Sequence, residues 1–123
     1  MAGEHAGHRQ RMRERFLAGG LEGFADHEVL ELMLFYAIPQ RNVNPLAHRL
    51  LDRFGTLHAV LEAPVEELMK VEGVGQYAAL LLSLFSHAAR RLEMSRENTG
   101  KLICNRGMAE KHAVRLLQGL RTE

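Results

Sequence analysis

Midway along the chain, Val71-Glu72-Gly73-Val74-Gly75-Gln76-Tyr77-Ala78-Ala79 sets a Gly-x-Gly turn between two helical patterns. Glycine at positions 73 and 75 permits positive φ and lets another backbone come close. Val74 is placed to tuck beneath the turn, and Ala78 and Ala79 are small enough for two helices to cross tightly. The segment therefore reads as a helix-hairpin-helix element. A turn of this kind directs the backbone N–H groups of Val74, Gly75, Gln76 and Tyr77 outward at the start of a helix. With the helix dipole behind them, such donors hold a phosphate without a charged side chain. The alternative is a tight structural turn that touches no ligand.

Around this turn the remaining sequence is helical. The spacing predicts a first helix over His8–Ala18, ended by Gly19-Gly20, with Met12, Phe16 and Leu17 on its narrow apolar side. Asp26 is expected to cap a second helix reaching about Ala37. Leu30, Leu32, Met33, Leu34, Phe35 and Tyr36 make that helix apolar nearly all round, which places it in the core. Asn44-Pro45 reads as a cap followed by proline at the first helical position, opening a helix that carries Leu46, Leu50, Leu51 and Phe54 and ends at Gly55. A short helix over Thr56–Glu62 and another opened by Pro64 lead into the glycine turn. Ala78, Leu81, Leu82, Phe85, Ala89 and Leu92 then follow helical spacing. Ser95–Gly100 is polar and reads as a linker, and Lys101–Cys104 as a short extended segment. Val114, Leu116, Leu117 and Leu120 suggest a last helix from about Gly107 to Leu120. The pattern from Asp26 to Phe54 loosely echoes that from Pro64 to Leu92, although the first turn, Ile38–Asn44, lacks the glycine pair.

Apolar residues form 46% of the 123-residue chain and aromatics 6%. That supply of Leu, Ala, Val and Met suits packed helices better than strands. The expected fold is all-α, a compact bundle of about six helices. Residues 1–8 are expected to form a disordered start, 9–94 the helical helix-hairpin-helix domain, 95–100 a linker, and 101–123 the lead-in to a further C-terminal domain. Net charge is +1, so any nucleic-acid contact must come from a local patch rather than a global field. A single cysteine, Cys104, excludes an internal disulfide and a cysteine-rich zinc cluster. The chain carries no apolar run of membrane length and no secretory start, which reads as a soluble, cytoplasmic protein with no membrane partner.

Charged and metal-ligating side chains narrow the chemistry. Gln76 and Tyr77 supply hydrogen bonds but no charge beside the turn. The nearest cations in sequence are Lys70, Arg90 and Arg91. Arg9, Arg11, Arg13 and Arg15 form a basic run on the first helix, and Arg11 and Arg15 are candidates to lie along a phosphate backbone. The seven histidines, His5, His8, His27, His48, His58, His87 and His112, show no paired zinc spacing. The chain contains no nucleophile elbow, Ser/His/Asp motif or phosphate-binding lysine loop. No catalytic residue, metal or cofactor is therefore assigned.

Arg13-Glu14-Arg15-Phe16-Leu17 followed by Gly20, then Asp26-His27-Glu28-Val29-Leu30-Glu31-Leu32, resembles the opening of the bacterial RadC-like (UPF0758-type) family. The similarity continues through Ala47-His48-Arg49-Leu50-Leu51-Asp52-Arg53-Phe54-Gly55-Thr56-Leu57 and reaches Leu68-Met69-Lys70-Val71-Glu72-Gly73-Val74-Gly75. It covers the chain from about Arg9 onward. The resemblance implies a helical N-terminal domain followed by a JAB/MPN-type metalloprotease-like domain with a His-x-His and Ser/Asp zinc signature. That signature does not occur in these residues, and Glu123 would fall at the family's upstream acidic position. The resemblance also implies an association with DNA repair and a partner in the chain's own C-terminal domain. The family's turn tends to carry a basic residue where this chain has Gln76-Tyr77, so the expected DNA contact is weak. These readings together predict a non-catalytic, sequence-independent DNA-binding module. The alternative is a protein-interaction or scaffold domain that docks or recruits for a zinc-dependent C-terminal domain.

Overall fold

A computed structural model describes the backbone of residues 2–109 and the side chains of residues 7–100 and of Leu102. Six α-helices and no strand occur among the described residues: α1 (Ala2–Gly19), α2 (Asp26–Leu34), α3 (Asn44–Phe54), α4 (Leu57–Glu62), α5 (Val65–Leu68) and α6 (Gln76–Ala109). The all-helical expectation is met. The chain divides into two units, Met1–Ser86 and His87–Glu123, and the division falls inside α6.

In the first unit α2 is the central helix, packed against α1, α3 and α4. Leu30 and Leu34 of α2 are fully buried together with Leu50, Val60, Leu68 and Leu82, so every helix from α2 to α6 contributes to one core. Met12 brings α1 into the same core. Phe16 and Leu17, expected beside Met12, are instead exposed, and so is Tyr36, expected in the core. The reason is that α2 ends at Leu34, and the chain then turns away before Tyr36 can face inward.

The helix ends show how side chains replace missing intrahelical partners. Asp26 is the first residue of α2, not its cap. The cap position is Ala25, and Glu28 Oε1 accepts the Ala25 N–H at 2.9 Å. Asn44 likewise lies inside α3, behind a cap at Val43. This frees its side-chain amide to reach the buried carboxylate of Glu31. Gly55 closes α3 with φ +95°, and the Thr56 hydroxyl accepts the Ala59 N–H at 3.0 Å to open α4.

Three further expectations change. Helix α1 begins at Ala2 rather than His8, so the backbone of residues 2–7 is helical. Ser95–Gly100 and Lys101–Cys104 are helical rather than linker and extended segment, because α6 continues to Ala109. Polar composition does not break a helix that contains no proline. Arg96 and Glu93 add an i,i+3 pair at 3.0 Å, and Gly100 alone costs only about 1 kcal/mol. The last helix expected over Gly107–Leu120 lies mostly outside the described residues. In the second unit Arg91, Met94, Ser95, Asn98, Thr99 and Leu102 share one shallow surface of α6.

Candidate nucleic-acid interface

The glycine turn is built by closing Val71 to Val74. The Val74 N–H donates to the Val71 carbonyl at 3.0 Å, and both valine side chains are buried. Gly73 takes φ +96°, and a Cβ there would lie 3.0 Å from Arg49 Nη2 and 3.4 Å from Leu46 Cδ1. Conformation and close approach therefore both require glycine at this position. Gly75 differs. Its φ is not positive, and nothing lies within 4 Å of the place a Cβ would occupy. Of the two positive-φ glycines expected, only Gly73 is one, because the chain has already turned when it reaches Gly75. Gly75 instead precedes α6, and its carbonyl accepts the Ala79 N–H at 3.0 Å.

Ala78 and Ala79 are buried, as close helix packing requires, while Gln76 and Tyr77 are exposed. Of the four amides expected to face a phosphate, Val74's is used within the turn. Those of Gly75, Gln76 and Tyr77 remain at the N-terminus of α6 with no acceptor among the described residues. They are the first donors of a long helix, where the dipole favours an anion.

The turn is held from the other side by two arginines that sequence reading missed. Arg49 Nε donates to the Glu72 carbonyl at 3.2 Å, and Arg41 Nη2 to the Gly73 carbonyl at 3.4 Å. Arg41 belongs to the connection between α2 and α3, which faces the start of α6 across a groove of about 400 Å³. Pro39, Gln40, Arg41, Gly75, Gln76 and Tyr77 are among its lining residues. That connection is itself anchored by Arg9, a buried residue of α1. Its guanidinium donates to the carbonyls of Phe35 at 3.2 Å, Ile38 at 2.8 Å and Arg41, and lies 4.6 Å from the Phe35 ring centroid. Burial, and then the charge of Arg13, lower the proton affinity of Arg9, but an arginine stays charged through such shifts. No local pattern could have revealed these three residues, since each bonds a carbonyl more than twenty positions away.

Two of the five cations named from sequence, Lys70 and Arg15, are engaged elsewhere. Lys70 pairs with Glu67 at 2.7 Å and holds that carboxyl below its ordinary range. Arg15 Nη1 lies 2.9 Å from Glu28 Oε2, and Arg15 stacks at 4.3 Å over the Phe24 ring, so it braces α1 against α2. Arg11 is exposed on α1. Arg90 and Arg91 fall in the second unit.

A second polar feature lies in the core. Glu31, on α2, is 1% exposed. Its Oε1 lies 3.1 Å from His8 Nε2, its Oε2 accepts from Asn44 Nδ2 at 3.1 Å, and His27 Nε2 stands 3.9 Å away. His27 stacks on His48 with ring centroids 4.5 Å apart. Glu31 thus ties α1 and α3 to α2. Among the described residues no group of His, Cys, Asp and Glu has the arrangement to hold a metal ion, and no helix is long and apolar enough to cross a membrane.

Comparison with known proteins places this arrangement. The family model described as UPF0758 N-terminal matches residues 4–80, the stretch from α1 through the hairpin into α6. A UPF0758 protein of Ruegeria pomeroyi is 47% identical over 89 residues, covering 72% of this chain and 40% of the relative. A UPF0758 protein of Rhodobacter capsulatus is 51% identical over 85 residues, covering 69% and 40%. One from Fusobacterium nucleatum is 40% identical over 81 residues, covering 66% and 35%. The match therefore spans about two fifths of the length of these relatives. No solved structure matches the chain. The matched stretch and these identities establish that the chain belongs to the UPF0758 family, the RadC-like proteins, and corresponds to that family's N-terminal region.

Proposed function

We propose that the first unit is a non-catalytic module that binds the DNA backbone weakly and without sequence preference, in the cytoplasm, as part of a DNA-repair-associated protein. The observation that carries this reading is the set of unbonded amides of Gly75, Gln76 and Tyr77 at the start of α6, opening onto the groove beside Arg41. A phosphate oxygen accepting from these amides would gain the helix dipole and the nearby guanidinium together. Tyr77, 81% exposed, offers a further hydrogen bond to the backbone or a ring for a splayed base. The local positive charge is small, because Lys70 and Arg15 are paired within the protein. Affinity is therefore modest, and the salt dependence corresponds to one or two phosphates. Base reading is not expected, since a turn of backbone amides contacts phosphate and not base edges. In a longer chain the module would position a C-terminal domain on DNA.

Fluorescence anisotropy with labelled single-stranded, duplex and branched DNA, at low and physiological salt, tests the reading. Saturable, salt-sensitive binding of random sequences is expected. An absence of binding even at low salt would refute it.

A further inference from the structure

A second groove lies within the first unit, away from the hairpin. It has a volume of about 500 Å³ and is lined by Phe16, Leu17, Leu21, Tyr36 and Phe85 together with residues of α2. These five residues are large and apolar, yet Leu17 is 82% and Tyr36 69% exposed. A rimmed apolar surface of this kind on a folded domain marks an interaction site. The only charged lining residue is Arg13. Its guanidinium donates to Gln10 at 3.2 Å and has no carboxylate partner among the described side chains. Arg15, Arg53 and Arg96, by contrast, each pair with a glutamate.

Charge and shape together select the occupant. An apolar small molecule is usually enclosed over most of its surface, whereas Leu17 and Tyr36 of this groove stay 82% and 69% exposed. A second copy meeting it about a two-fold axis would bring the same patch to itself. Two Arg13 side chains would then face one interface with no carboxylate lining either groove. An amphipathic helix fits both features, with apolar residues at i, i+3/i+4 and i+7 in the groove and an Asp or Glu beside that stripe. We infer that the α1–α2 groove is a docking site for an acidic amphipathic helix of a partner protein, with its apolar stripe in the groove and a carboxylate on Arg13. This inference does not rest on the DNA-binding reading.

The probe is a labelled synthetic helical peptide of about 15 residues, with leucines at that spacing and glutamates flanking them. A matched peptide carries lysines in place of the glutamates. Anisotropy is read with the 123-residue chain and with Arg13→Glu and Leu17→Asp, both surface changes whose fold is checked by circular dichroism. The glutamate peptide should bind the parent and lose at least about tenfold with either variant. The lysine peptide should bind Arg13→Glu better than the parent. The inference fails if the glutamate peptide does not bind, or binds Arg13→Glu as well as the parent. It also fails if decanoate occupies the groove and the peptide does not, or if the parent instead forms a dimer that Leu17→Asp dissociates.

Discussion

Arg41 donates from Nη2 to the Gly73 carbonyl at 3.4 Å, while its own carbonyl accepts from the buried guanidinium of Arg9. A basic residue of the α2–α3 connection thus joins the first helix to the glycine turn. The turn's outward amides are therefore held in place by contacts distant in sequence as well as by their own glycines.

Replacement of Gly73 should be costly and replacement of Gly75 mild. Gly73→Ala introduces a Cβ at positive φ, 3.0 Å from Arg49 Nη2, and should lower stability by about 1–3 kcal/mol. Gly75→Ala meets open space at an ordinary φ and should change stability by less than about 1 kcal/mol. Urea unfolding of the two variants measures the difference. Equal destabilisation would contradict the assignment of the strained position to Gly73.

Removal of the Arg9 side chain should loosen the whole platform. Arg9→Met leaves the carbonyls of Phe35, Ile38 and Arg41 without their donor, and a loss of about 2–4 kcal/mol is expected. Arg9→Lys should recover only part of this, since an ammonium lacks the planar fork that reaches three acceptors. Amide hydrogen exchange across residues 35–43 should quicken in both variants.

Glu31 should behave as a structural knot. Glu31→Ala leaves His8 and Asn44 without their shared acceptor and opens space beneath α1 and α3, so a loss of about 2–4 kcal/mol is expected. Glu31→Gln should cost less, because its amide oxygen still accepts from Asn44. Chemical denaturation of the pair checks the order.

The Arg15–Glu28 contact sets an acid-side dependence. Arg15 first, and then the Ala25 N–H, hold the Glu28 carboxyl below its ordinary value of 4.5. A depressed carboxyl contributes stability in full above that ordinary value and loses it as pH falls through the lower folded value. The parent should therefore be more stable than Glu28→Gln near neutral pH, with the gap closing in a window that starts near 4.5 and extends below it. The effect is small for a pair this exposed. Thermal melts of both proteins across that range read it, and a constant gap would show that the ion pair contributes nothing.

Much of this architecture is legible along the chain, and the exceptions share a cause. Gly55 and the order of helices follow from local spacing, as does the turn between Val71 and Ala79. The caps at Ala25 and Val43 fall one residue before the polar residues expected there. At α2 the compensating acceptor comes from Glu28, three positions later, rather than from the cap side chain. Gly73 and Gly75 look equivalent in sequence, but only Gly73 closes a turn against Arg49 and Leu46. Arg9, Arg41, Arg49 and Glu31 acquire their roles from partners in other helices and connections, which no periodicity records. Of the conspicuous cations, Arg15 is likewise paired with Glu28 of another helix, whereas Lys70 is paired locally, with Glu67 three positions before it.

The most direct test of the hairpin reading removes one backbone donor and little else. Gln76 is the first residue of α6, a position where proline fits a helix and its missing N–H breaks no internal bond. Duplex-DNA binding by Gln76→Pro is compared with the parent by anisotropy at low salt, with circular dichroism confirming the fold. A loss of about 10- to 150-fold at unchanged stability is expected for one hydrogen bond to a charged acceptor. Unchanged affinity in the folded variant would contradict phosphate binding by the amides of this turn.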